Sequence, residues 1–394
     1  MSKNYSIAMV DFRLTGHHPY YLGTFASKFH QLGCTVDLFT INKEECRDKL
    51  INAVPSIPIE HFEIHEIKSA KMNKRVLGCR SYFRLMMLDR ELATIERTKK
   101  KKYDLVFFPY IDDLVQCDLT IPYMLKAPFP RYFSGLLMEP RLKLLKKARF
   151  PVNFITSTWL EYSSTNYRKL GVLVEDVTNE VQTLLGKSVT HYPDFCSSDT
   201  EEQPDDPICK VIRDRKNGRF VTSLLGSILP HKSLDLFLSC INQANPDDHL
   251  FVIAGRIAKE KFTSKNLETL NDLVETEREN VLIFDQWIPS EAVFDTIVTY
   301  SDILYAHYRN FPKSSNILSK AAYHKKPVIV SDKYLLGERV KKYNLGFSLP
   351  ESKIPDLYNT RELKSWSVDS ESREIFIKLH SESRLQTIFR DLIA

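Results

Sequence analysis

Val281-Leu-Ile-Phe284, Trp287-Ile-Pro-Ser-Glu291, Ser301-Asp-Ile-Leu-Tyr-Ala306, Asn310-Phe-Pro-Lys-Ser-Ser315 and Lys326-Pro-Val-Ile-Val-Ser331 follow one another in a stretch that closes at Pro350. The first is a short apolar run. The second starts a helical pattern that sets Phe294, Ile297 and Val298 on one face. Ser301–Ala306 reads as a buried strand, Asn310–Ser315 as a polar turn, Asn316–Tyr323 as a helix and Lys326–Ser331 as the next strand. Short apolar strands alternating with helices predict parallel βαβ units, whose ligands sit at the carboxyl ends of the strands. The turn Lys313-Ser-Ser-Asn316 is therefore the first place to expect a bound phosphate.

The same grammar extends in both directions. Upstream lie a strand at Arg219–Leu225, the loop Gly226-Ser-Ile-Leu-Pro-His-Lys232, a helix bearing Leu234, Phe237, Leu238 and Ile241, and a strand at His249–Ala254. At the other end of the chain, Ser6–Val10 and Thr35–Thr40 read as strands around a helix from Pro19 to Leu32, opened by proline and stopped by Gly33. A long helical pattern covers 69–100, and strands are expected at Asp104–Phe108, Arg131–Leu137, Val172–Val174 and Ser188–Tyr192, with a helix over Val177–Leu185. Cys196–Asp206 is acidic and polar and reads as a linker. The expected division is 1–195, a linker at 196–216, 217–352, and a helical tail over 353–394: two doubly wound Rossmann-like α/β domains facing each other across a cleft.

With 394 residues, 43% hydrophobic and 27% charged, the chain has room for two such cores and the composition of a soluble globular protein. No run is long enough to span a membrane, and Met1–Ser6 lacks the apolar segment of a signal peptide, so a cytoplasmic location is expected. The seven cysteines are scattered and form no CxxC pair, as expected of reduced thiols. The net charge of +5 is too mild for nucleic-acid binding, and no nucleic-acid module is present. Basic residues cluster locally: five in Lys68–Arg80, four in Lys99–Lys102 and five in Arg141–Arg149. Solvated faces explain such runs, and a peripheral contact with an anionic membrane is the partner they suggest.

Leu225-Gly226 to Lys232, Val252-Ile-Ala-Gly255, Trp287-Ile-Pro289, Ser301-Asp-Ile303 and Lys326-Pro-Val-Ile329 recur in an order that resembles the GT-B glycosyltransferases. The closest likeness is to the retaining, metal-independent group of family 4, also called glycosyl transferases group 1. Gly16-His-His18 is similar to that family's glycine-rich loop on the acceptor side. The resemblance implies a nucleoside diphosphate sugar as donor substrate, no metal or other cofactor, an acceptor held by the first domain, and a role in polysaccharide biosynthesis. One signature is missing. Where the family carries a pair of glutamates, this chain has Pro312 and Lys320, eight positions apart, and Ser227 replaces the basic residue after the first glycine.

Lys232, in a loop between strand and helix, is the expected partner of a departing diphosphate. A surface lysine at a helix start is the plainer alternative. Ser314, Ser315 and Asn316 are ordinary helix caps, and the same free N–H groups favour an anion, with Lys313 beside them. Lys320, one turn on, can reach a phosphate or a sugar carboxylate, or point into solvent. His17 and His18 follow Gly16 and are candidates to hold or deprotonate an acceptor hydroxyl. Asp112, Glu139 and Glu338 are weaker candidates for sugar hydroxyls, and no cluster has metal-ligand spacing. The expected activity is hexosyl transfer to a sugar or lipid-linked acceptor. The alternatives are a GT-B protein that binds without turnover and a nucleotide-sugar epimerase, which would form product with no acceptor present.

Overall fold

The computed structural model describes residues 5–16, 18–71, 79–116, 118–138, 156–162, 166–195, 201–275, 278–367 and 369–394. The chain divides into two compact units, Met1–Pro193 with Ser383–Ala394, and Asp194–Glu382.

In the first unit the strands are β1 (Ser6–Val10), β2 (Thr35–Thr40), β3 (Glu63–Glu66), β4 (Leu105–Phe108), β5 (Asp118–Leu119), β6 (Phe133–Leu137), β7 (Thr156–Ser157), β8 (Tyr167–Val172) and β9 (Val189–His191). Seven of them form one sheet in the order β3-β2-β1-β4-β6-β8-β9, while β5 and β7 pair with each other. The seven are parallel throughout. A parallel sheet is covered on both faces, which is why β1 and β4 read as unbroken apolar runs: Ile7, Ala8, Met9 and Val10 are all fully buried. Tyr21, Leu22, Phe25 and Phe29 line the buried side of the His18–Gln31 helix. The last helix of the chain, Glu382–Ile393, belongs to this core. Its Phe389 ring stacks on Phe29 at 4.1 Å between centroids and meets Phe25 and Phe107 edge-on.

The second unit holds β10 (Phe220–Leu225), β11 (His249–Ala254), β12 (Val281–Phe284), β13 (Ile303–Ala306), β14 (Val328–Ser331) and β15 (Gly346–Leu349). They form one six-stranded sheet in the order β12-β11-β10-β13-β14-β15, again parallel. The two-residue period of a strand divides the core into two layers. Val221, Leu225, Val252, Leu304, Ala306, Val328 and Val330 face one side, and Leu224, Phe251, Ile253, Ile303, Tyr305 and Ile329 the other.

The helical pattern expected over 69–100 is a helix from Arg80 to Lys99, and 72–78 lie outside the described residues. Three further expectations differ from this structure. The linker over 196–216 is shorter than anticipated, because Pro207–Lys216 is a helix capped by Asp206, and its Ile208, Cys209 and Ile212 are buried in the second unit's core. The tail over 353–394 is not one element: Ile354, Leu357, Tyr358, Leu363 and Phe376 pack in the second unit, and 383–394 belong to the first. The strand expected at Val172–Val174 instead ends at Val172 and begins at Tyr167. Truncating the ring that anchors the last helix, by Phe389→Ala, is expected to cost about 3–5 kcal/mol, measured as a lowered urea midpoint with the first unit's transition moved most.

Candidate functional site

In the second unit the strand order reverses between β10 and β13, so the loops leaving these strands open a crevice at their carboxyl ends. The backbone there is unusually close. Gly226 and Gly255 have φ of +81° and +138°, and a Cβ on Gly255 would stand 2.0 Å from the Gly226 carbonyl oxygen. Only glycine fits that crossing. Its reward is that Gly226 N–H donates to Ala254 O at 2.9 Å, which fixes the first loop. The short turn Pro230–Lys232 then carries Lys232 back over the strand end, where its Nζ donates to Leu225 O at 2.5 Å. The ammonium also lies 5.6 Å from the centre of the Tyr308 ring. Among the described residues it forms no ion pair, and burial pushes its pKa down to about 7.

The loop after β13 is tied to that turn. Arg309 N–H donates to His231 O at 2.7 Å, and the His231 ring stacks on Phe311 at 5.1 Å. The Arg309 guanidinium holds Asp235 at 2.7 Å and Glu351 at 2.6 Å. Further along, Ser314 donates to the Asp194 carboxylate and accepts from Arg339 Nη1 at 2.5 Å, while Ser319 donates to Asp194 O. Ser315 bonds the buried Tyr308 hydroxyl. Asn316 precedes the Ile317–Tyr323 helix without a side-chain cap bond. Ser227, Lys313 and Glu338 are exposed.

Lys320 departs from the choice the sequence left open. It is buried, neither solvated nor free to meet a ligand, with Nζ 2.6 Å from Asp295 and 2.7 Å from Glu291. Both carboxylates lie on the Glu291–Tyr300 helix, one turn apart, and Phe294 between them sits under the ammonium at 5.0 Å. Burial alone would lower the Lys320 pKa, but the two carboxylates raise it above the ordinary value.

In the first unit the order reverses between β1 and β4. Asp11 follows β1 directly and is buried. Both of its oxygens meet His18 Nδ1, at 2.8 and 2.9 Å, and the His18 ring lies 4.4 Å from Tyr110. Burial raises the Asp11 pKa against the pull of His18. Asp113 accepts from Arg13 Nη2 at 2.5 Å. Asp112 faces inward and accepts from Met138 N–H at 2.8 Å, which makes it a brace for the end of β6. Gly16 turns at φ +63° with open space above it. His17 and Glu139 lie outside the described residues. Asp37, Glu63 and His65 place ligand atoms within 4.8 Å of one another, but Asp37 is already engaged by Lys101 Nζ and the Tyr103 hydroxyl, each at 2.5 Å.

The geometry thus gathers Gly226, Ser227 and Lys232 at one switch point, and Asp11 and His18 at the other. Sequence reasoning did not single out Tyr308, His231, Arg309 or Asp11. For Asp11 the signal was present, a lone acid at a strand end seven residues before a histidine.

No protein-family model and no curated protein sequence matches the chain. Solved structures do. HepE from Anabaena, in complex with UDP and glucose, has 13% identity and a TM-score of 0.62, with 98% of both chains covered. A glycosyltransferase from Rickettsia africae has 14% identity and a TM-score of 0.65, covering 99% of this chain and 98% of its own. Sucrose-phosphate synthase from Thermosynechococcus elongatus has 13% identity and a TM-score of 0.63, covering 98% of this chain and 99% of its own. The fold is the GT-B architecture of two Rossmann-like domains.

Removing Lys320 tests its role directly. Lys320→Ala removes the ammonium that pairs with Asp295 and Glu291 and is expected to cost about 3–5 kcal/mol. Urea unfolding of the second unit measures this, while nucleotide affinity of the folded fraction stays unchanged.

Proposed function

We propose that the protein is a glycosyltransferase. It takes a hexosyl group from a nucleoside diphosphate sugar and passes it to a sugar or lipid-linked acceptor, without a metal and with retention of configuration. The observation that carries this reading is the buried Lys232 ammonium, held by a carbonyl instead of a carboxylate at the switch point of the second sheet. When the bond from the anomeric carbon to the diphosphate breaks, the diphosphate oxygen keeps the electron pair. A cation already desolvated beside it favours that charge more than it favours the intact donor. Ser227, Lys313, Ser315, Asn316 and Glu338 are assigned to the same donor. The likeness in fold to HepE, which was solved with UDP-glucose, supports a nucleotide sugar.

We assign the acceptor to the first unit. Asp11 holds Nδ1 of His18 and so fixes the ring that meets an acceptor hydroxyl. The protein works in the cytoplasm against an anionic membrane surface.

One observation favours a second reading, binding without turnover: Lys320, which the resemblance sets where the family has its second glutamate, spends its charge inside the unit. UDP affinity with no product from any donor and acceptor pair would select that reading.

The experiment is UDP titration by calorimetry. Lys232→Ala is expected to weaken UDP binding by about 2–3 kcal/mol. The pH dependence follows from the lowered pKa. Below about 7 the buried Lys232 is charged, as an anion requires. As pH rises through 7 it loses its proton, so UDP affinity falls by up to about tenfold per unit, with proton uptake on binding. The sign for folding is opposite: the unfolded lysine keeps its proton to 10.5, so this group's cost to stability is full below about 7 and is relieved between 7 and 10.5. A Lys232→Ala variant with wild-type affinity and the same pH profile overturns the assignment.

A further inference from the structure

Four large apolar side chains are exposed within seven consecutive residues of the first unit: Leu119, Ile121, Met124 and Leu125, at 38, 64, 63 and 81%. The short helix Thr120–Leu125 explains the pattern. Ile121, Met124 and Leu125 stand at i, i+3 and i+4 and so share one stripe. That stripe faces solvent, while Thr120 and Tyr123 face inward. A surface helix ordinarily shows water its polar side. This one shows water its most apolar residues, which marks a contact surface.

The helix is firmly set. Asp118 accepts from the Tyr123 hydroxyl at 2.7 Å and from Tyr82 N–H at 2.9 Å. Leu119 pairs with Thr156 across the β5–β7 ladder. The sequence around these residues is basic. From Leu119 to Met138 the sequence has no acidic residue, and exposed Lys126 follows the helix directly. The basic run Lys68–Arg80 ends where Asp118 binds the backbone of Arg80, Ser81 and Tyr82. The run Arg141–Arg149 precedes Thr156, which pairs with Leu119. Each basic run therefore ends within seven residues of sequence of a residue bonded to Asp118 or Leu119.

We propose that Ile121, Met124 and Leu125 insert at the boundary between headgroups and acyl chains of an anionic bilayer, with Lys126 against the headgroups. The charge selects this occupant, since apolar side chains flanked by cations match an anionic interface. A second copy of the chain is a poorer match. Stable dimers bury roughly 1,200–2,000 Å², and a stripe on a six-residue helix offers far less. The inference names the element behind the membrane contact proposed above, and it stands apart from glycosyl transfer, so the two are tested by different readouts.

The full chain is sedimented with vesicles of phosphatidylcholine alone and of phosphatidylcholine mixed with phosphatidylglycerol. Binding is expected only to the mixed vesicles, weakened by salt. Ile121→Ser with Leu125→Ser is expected to weaken it about tenfold or more, with UDP affinity unchanged. In a Leu125→Trp variant, indole emission is expected to shift to the blue on adding mixed vesicles. The proposal is overturned if the wild type ignores both vesicles, if the double variant binds like the wild type, if the indole emission does not move, or if light scattering shows a dimer that the double variant dissolves.

Discussion

The second unit buries two lysine ammonium groups, and the difference between their surroundings organises its chemistry. Lys320 has two carboxylates within ion-pair distance, so its charge is cancelled where it stands. Lys232 has a backbone carbonyl and the face of Tyr308. A carbonyl dipole returns only part of the hydration that an ammonium loses on burial, which is why the two pKa shifts run in opposite directions. An under-solvated cation at the switch point of a doubly wound sheet is destabilising until an anion arrives. The Gly226–Gly255 crossing and the Arg309 pairs hold the loops around it.

The same comparison accounts for the burial of Lys320. A buried ammonium at that position is tolerated only with a compensating acid. Glu291 and Asp295 supply two, spaced one turn apart so that both point from the same helix face. The three residues thus make a structural unit of their own. Pro312, eight positions earlier, is exposed.

How much of this was legible depends on the residue. Strands buried on both faces announce themselves as continuous apolar runs, and Ser6–Val10, Thr35–Thr40 and His249–Ala254 are observed at their expected bounds. The edge strand Glu63–Glu66 was invisible, because only Ile64 of its four residues is buried and nothing in Glu-Ile-His-Glu repeats. Glu291 and Asp295 stood in plain view, but an acid pair on a helix looks like a solvated face until the packing of a second helix brings a lysine to it. Ser314 was ambiguous for a related reason: a serine at a helix start is read as a cap or an anion ligand, and its tie to Asp194 and Arg339 spans 120 and 25 residues of sequence. Local pattern finds elements. Long-range pairing decides what their side chains are free to do.

The first unit's switch point extends that argument to a buried carboxylate. Asp11 is a carboxylate whose burial favours the protonated form and whose contact with His18 opposes it. His18 also packs against Tyr110, which limits its ring to one plane. A histidine fixed in plane and tethered through Nδ1 presents its other nitrogen in one direction only. What the sequence offered as two adjacent histidines in a loop is, at His18, a ring oriented by an acid seven residues upstream. Lys232 and His18 thus share a place in the two folds: each is a buried side chain at a reversal of strand order, Lys232 against a carbonyl and His18 against the Asp11 carboxylate.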